Sequence, residues 1–132
     1  MTGARKYRPP DAMQHRTAGP YSPVLEIDAR RLVVISGQVA VDMNGDVVGT
    51  TIEEQAEATL ANCARLLASA GCTLLDVFKV NIYLKDLEHW ARFNAVYDKL
   101  FQEPLPVRTA VQAVLLPGFL VEIEMWAVKA GP

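Results

Sequence analysis

The chain has 132 residues, 51% hydrophobic and 21% charged, with a net charge of −2. That length and composition fit one globular domain able to bury a core without disulfide staples. The near-neutral charge excludes the global field expected of a nucleic-acid or anionic-lipid binder, and no apolar run reaches membrane-spanning length.

Residues 1–16 stand apart as a basic arm, with Arg5, Lys6, Arg8 and Arg16 against Asp11 and with Pro9 and Pro10, leaving 17–132 as the folded domain. The arm reads as extended chain. No apolar or amphipathic Arg/Ser pattern marks it as a targeting peptide. Cys63 and Cys72 form no C-x-x-C pair, so neither a disulfide framework nor a metal site is expected, and a reducing, cytoplasmic setting fits.

"GPYSP", 19–23, places Tyr21 between prolines at the entry to the first strand. "RLVVISGQVAVD", 31–42, is rich in β-branched residues on both alternating sets and predicts a strand covered on both faces. Within it, Ser36-Gly37 marks either a bend or a close backbone approach to a ligand. Asn44-Gly45 is a turn signal.

The stretch 50–71 predicts a helix. Ile52, Ala56, Leu60, Cys63, Leu67 and Ala70 recur at helical spacing, Thr51 and Glu54 form a capping-box pattern, and Gly71 suits the stop. "VFKVNIYLK", 77–85, alternates as a strand, with Phe78, Val80, Ile82 and Leu84 on one side and Lys79, Asn81, Tyr83 and Lys85 on the other. Asp86 suits the cap of a second helix, 87–101, with Leu87, Trp90, Phe93, Tyr97 and Leu100 inward. Two strands, 107–116 and 119–129, flank Pro117-Gly118 and are expected to pair as a hairpin.

Strands, helix, strand, helix, strands make an α+β sandwich with two helices on one face of a sheet. The other face is expected to carry Arg108, Gln112, Glu122, Glu124 and Tyr83 beside Ala110, Val114 and Trp126. Such a mixed face suits a subunit interface enclosing a polar site. In a hairpin, Arg108 and Glu122 would stand roughly 13 Å apart along the ladder, too far for one small substrate within a single chain.

Arg108 is the leading ligand-binding candidate, because a planar guanidinium suits bidentate carboxylate recognition. Glu122 and Glu124 are candidates to hold or activate a water. Cys63 reads as a buried small hydrophobe, Cys72 carries no nucleophile signal, and the distant His15 and His89 make no metal cluster or Ser/His pair. No glycine loop suited to phosphate is present.

The ordered set "GPYSP" (19–23), "VVISGQVAVD" (33–42), "IEEQAEATLANCARLLASAG" (52–71), "DVFKVNIYLKDLEHWARFNAVYDKLF" (76–101), "PVRTAVQAVLLP" (106–117) and "VEIEMWAV" (121–128) resembles the RidA/YjgF family of reactive-intermediate deaminases. The resemblance implies a chorismate-mutase-like fold and a homotrimer around a central β-barrel, with sites between subunits. It implies hydrolysis of 2-imino and enamine acids to 2-oxo acids and ammonia, without metal or cofactor, nucleic acid or membrane. Carried over by position, Arg108 would clamp the substrate carboxylate, Glu122 would orient the attacking water, and Tyr21 would border the pocket and assist proton transfer. Ser36, Gly37, Asn94, Thr109 and Ala110 would line it.

Thr109 stands where the family often has serine. Ala110 stands where many members carry cysteine or threonine, which excludes a thiol role, and Trp126 stands where a smaller residue is usual. Two other readings fit the same residues: a non-catalytic binder or sensor of small carboxylates, and a specialised catabolic deaminase on the same fold.

Overall fold

The computed structural model describes residues 5–15 and 19–129. Two short strands, β1 (Lys6–Tyr7) and β2 (Glu26–Ile27), pair with each other. They are followed by β3 (Leu32–Gln38), α1 (Ile52–Ser69), β4 (Val77–Leu84), α2 (Trp90–Asp98), β5 (Val107–Gln112) and β6 (Val121–Val128). The four long strands form one mixed sheet in the order β3-β6-β4-β5. β6 runs antiparallel to both its neighbours, and β5 runs parallel to β4.

This order places both helices on one face. The crossovers β3–α1–β4 and β4–α2–β5 step the same way across the sheet, and right-handed crossovers in one direction put their helices on the same side. The first crossover skips a position, which the C-terminal strand fills. The result is the α+β sandwich expected, of the chorismate-mutase-like type.

The core lies between sheet and helices. Ile52, Ala56, Leu60, Cys63 and Leu67 of α1, with Phe93, Val96 and Tyr97 of α2, pack on Val77, Val80, Ile82 and Leu84 of β4 and Val121, Ile123, Met125 and Ala127 of β6, all buried. Thr51 and Glu54 close the capping box, and Gly71 turns the chain out of the helix at φ +79°. Gln55 is buried at the start of α1. Its amide donates to the Gly118 and Gly49 carbonyls and its oxygen accepts from Leu120 N, tying the helix to the entry of β6.

Several sequence expectations are corrected. The hairpin does not form: β4 lies between β5 and β6. Residues 113–120 are long enough to carry the chain past β4, stitched to its end by Ala113 N to Leu84 O and Lys85 N to Leu120 O. β3 is shorter than 31–42, and within the single chain only one of its faces is covered. Ile35 is buried, whereas Leu32 and Val34 are more than half exposed. A register slip between Val77 and Lys79 turns Phe78 away from the core, edge-on to Trp126 at 6.4 Å. The second helix opens as a 3-10 turn over Leu87–His89 capped by Asp86, and both Leu87 and Leu100 are exposed.

The described part of the basic segment contacts the domain through Arg5, Lys6 and Arg8. Lys6 is buried and its Nζ donates to the Val77 carbonyl at 2.6 Å, while Arg5 and Arg8 reach Asp28 and Glu103. The boundary expected between residues 16 and 17 lies outside the described residues. Among the described residues no helix is long and apolar enough to cross a membrane.

Candidate active site

Arg108 does not lie on the uncovered face. On β5 it stands opposite Val80, and Ala110 and Gln112 stand opposite Ile82 and Leu84, all inward-facing residues of β4. Alternation groups Arg108, Ala110 and Gln112 on one face, but only the pairing partner says which face that is. The inner face accepts a charge here because β5 is an edge strand. The part of α2 above it presents aromatic rings and an amide instead of aliphatic side chains.

The Arg108 guanidinium is held by those groups. One terminal nitrogen donates to Asn94 Oδ1 at 2.8 Å. Its carbon lies 4.7 Å from the Tyr97 ring, 4.8 Å from the Trp90 ring and 5.5 Å from the Tyr21 ring, a cation–π arrangement with three partners. The other terminal nitrogen, Nη2, is buried with no hydrogen-bond partner among the described residues. Burial lowers the Arg108 pKa from its ordinary value, opposed by Tyr97, Tyr21 and Asp98, and an arginine remains charged through such a shift. The buried Tyr97 hydroxyl also has no partner among the described residues, and burial pushes its pKa up.

Tyr21 reaches the guanidinium because the residue after it is fixed to the chain before Arg108. Ser22 N donates to Pro106 O at 3.0 Å and Ser22 Oγ to Leu105 O at 2.5 Å. The Tyr21 carbonyl accepts from Gln14 Nε2 at 2.6 Å. A Cβ at position 19 would stand 3.3 Å from Nη2, so Gly19 lets the chain before Tyr21 pack closely against the guanidinium. Beside Trp90, a cleft of about 290 Å³ is lined by Leu87, Trp90 and Ala110.

Glu122 belongs to a second cluster on the uncovered face, paired across β6–β4 with Tyr83. Its carboxylate lies over Gly37, where any Cβ would collide with Oε2. The glycine is therefore required for the carboxylate's position, and the bulge between Ile35 and Gln38 leaves Ser36 and Gly37 exposed. Glu124 is engaged instead: it accepts from Tyr83 Oη at 2.6 Å and from Asn81 Nδ2 at 3.1 Å, and this first bond is the main cause of the raised Tyr83 pKa. Among the described residues nothing hydrogen-bonds to the Glu122 carboxylate. Of two glutamates the sequence could not separate, only Glu122 keeps its carboxylate available.

The expected site residues thus fall into two half-sites. Arg108, Asn94, Tyr21 and Ala110 gather under α2. Glu122, Gly37 and Ser36 gather on the other side of the sheet, with Thr109 exposed there opposite Asn81. Trp126 lies with the second group, against Phe78 and under Lys79 Nζ at 5.2 Å, and does not reach the Arg108 cluster. Helical spacing alone marks Trp90 and Tyr97 as core residues. Their place on the face that carries Asn94 is the sequence signal for a guanidinium-binding role.

Cys63 is buried and its thiol is pushed up to about 12 by burial, so it is an inert core residue. His89 is half-buried and not exposed. Among the described residues, no group of His, Cys, Asp or Glu side chains could hold a metal ion.

The chain matches the family described as Endoribonuclease L-PSP over residues 12–129. A 2-iminobutanoate/2-iminopropanoate deaminase of Mus musculus is 40% identical over 116 residues, which cover 86% of this chain and 84% of that protein. A RutC family protein of Pyrococcus horikoshii is 40% identical over 113 residues, covering 84% and 88%. Among solved structures, yeast Mmf1 superposes with a TM-score of 0.71 at 34% identity, covering 85% of this chain and 89% of that one. YyfB of Yersinia pestis, a protein of unknown function of the Rid family, superposes with a TM-score of 0.76 at 28% identity, covering 95% and 99%.

Proposed function

The chain belongs to the RidA/YjgF family, described as Endoribonuclease L-PSP, and we propose that it hydrolyses 2-imino and enamine acids to 2-oxo acids and ammonia, at sites shared between the subunits of a homotrimer. The observation that carries this reading is Arg108. It is a half-buried guanidinium with one nitrogen on Asn94, another buried without a partner, and no carboxylate bonded to it among the described residues. A buried charge left in this state favours an anionic ligand, and a planar carboxylate matches its fork.

The chemistry asks little more. An imine carbon is already electrophilic, so positioning the carboxylate and one water supplies most of what is needed. Glu122, supplied by a neighbouring subunit, accepts a proton from the attacking water as its oxygen bonds to C2. Glu122 passes that proton to the nitrogen, giving the carbinolamine; the carbinol O–H proton then moves through the same carboxylate to the nitrogen as the C–N bond breaks, so that ammonia leaves and the 2-oxo acid remains. Tyr21 borders this site and assists proton transfer. Ser36, Gly37 and Thr109 line the part that Glu122 brings. Val34, Val111 and Trp126, exposed on the same sheet face, give the subunit contact its apolar portion.

The test is ammonia release from imines generated in situ by an amino-acid oxidase. Wild-type protein accelerates it and Arg108→Ala does not. Equal rates for the two proteins overturn the reading. The placement of Arg108 and Glu122 on opposite sheet faces favours a second reading, a carboxylate binder that needs Arg108 alone. Unchanged activity in Glu122→Ala, with carboxylate binding retained, selects it.

A further inference from the structure

The inner face of β5 continues past Arg108 into the cleft lined by Leu87, Trp90 and Ala110. We propose that this cleft receives the substrate's side chain, and that the chain therefore prefers 2-imino acids with branched-aliphatic or aromatic side chains over those with a methyl or ethyl group. The proposal rests on Arg108 holding the substrate carboxylate.

Position comes first. The Trp90 ring that stacks on the guanidinium is also a wall of the cleft. Ala110 is the next inward residue of the same strand, ~7 Å farther along. In a 2-imino acid the carboxylate and the side chain leave the same carbon. With the carboxylate on Arg108, a side chain running along β5 enters the cleft. A methyl group stops short of Ala110, whereas an isobutyl or benzyl group reaches it.

The lining then selects for apolar groups. Leu87 is 46% exposed, a large aliphatic side chain left uncovered beside the site. The next inward residue, Gln112, is turned away from the cleft's needs: its oxygen accepts from Leu87 N at 3.0 Å, which also fixes the Leu87 wall to β5. The volume, about 290 Å³, exceeds the roughly 150 Å³ that suffices for a benzene ring. Ala110 keeps it open, since a longer side chain there would project into the same space.

The experiment compares kcat/KM for imines generated in situ from alanine, 2-aminobutyrate, leucine and phenylalanine. The expected result is a preference of on the order of tenfold or more for the leucine- or phenylalanine-derived imine over the alanine-derived one, the scale set by a few methylenes in an apolar pocket. Ala110→Leu should lower that ratio by a similar factor. Preference for the alanine-derived imine, or a ratio that Ala110→Leu does not change, overturns the proposal.

Inhibition or binding of the wild-type protein by pyruvate, 4-methyl-2-oxopentanoate and phenylpyruvate needs no variant, and the larger acids should bind at least tenfold tighter. Equal or weaker binding of the larger acids, or no binding of any, overturns the side-chain subsite. Absence of turnover with every imine, alongside tighter binding of the larger 2-oxo acids, overturns the deaminase reading and supports the subsite.

Discussion

Arg108 and Glu122 project from opposite faces of one sheet. Arg108 stands opposite Val80 on the helix side and Glu122 opposite Tyr83 on the uncovered side, two strands and three residues apart, ~14 Å between backbones. No small substrate touches both side chains of one chain. If both act in one reaction, the two half-sites come from different subunits. Co-refolded mixtures of Arg108→Ala and Glu122→Ala, each inactive alone, should then recover activity. With random assembly of equal amounts, about one site in four combines an intact Arg108 with an intact Glu122. Imine hydrolysis by the mixture measures this, and a mixture as inactive as its components rejects the shared site.

Arg108→Met should separate stability from function. The guanidinium lacks a bonded counter-ion among the described residues, so its burial costs free energy that an apolar side chain of similar length avoids. The thermal midpoint is expected to stay level or rise. Turnover should fall by about 10–10², the loss expected when a charged hydrogen-bonded contact to substrate is removed. Arg108→Lys should recover little, because an ammonium cannot form the planar fork. Thermal melts and initial rates on the same preparations check both halves.

Gly37→Ala should mimic loss of Glu122 without unfolding the protein. A Cβ at position 37 collides with the end of the Glu122 side chain, which can swing aside at low cost, and Gly37 has no left-handed backbone angle to lose. Stability is expected to change by less than about 1 kcal/mol. kcat should drop toward the level of Glu122→Ala. A Gly37→Ala enzyme with normal kcat would show that the carboxylate's position over residue 37 is not needed.

Lys6 predicts a pH dependence with a definite sign. Burial at the Val77 carbonyl lowers its pKa from 10.5 to about 8, against the opposing pull of Asp76 and Glu103. Between those values the unfolded chain binds the proton and the folded chain does not, so stability rises with pH through this window and the contribution is lost as pH falls through it toward about 8. From pH 7 to pH 9 the gain attributable to Lys6 is about 1 kcal/mol. Urea unfolding of wild type and Lys6→Met at both pH values isolates it, because the other titrating groups are common to the two proteins. Identical pH dependence in both would remove Lys6 as the cause.

Local rules were legible along the chain. The Thr51–Glu54 capping box, Gly71 after the helix, the Asp86 cap and the alternation of Val121, Ile123 and Met125 all depend on neighbours within a few residues, and all appear in the structure. The same locality explains the misses. Pro117-Gly118 is a turn signal that suggests a hairpin, but a turn does not say which strand it delivers the chain to. Leu87 looks inward by helical spacing, yet it lies in a 3-10 turn whose period differs, and it lines the cleft instead.

Capping, periodicity and ordered motifs are written in short spacings, so the chain alone carries the α+β class, the ends of α1, most core positions and the family. Only the tertiary structure decided that β6 lies between β3 and β4, that Arg108 sits under α2 among three aromatic rings, and that Glu122 stands alone over Gly37 on the far side. Strand order and the face a residue occupies are properties of long-range pairing. Alternation defines two sets of side chains on a strand, and only the neighbour across the ladder says which set is inside.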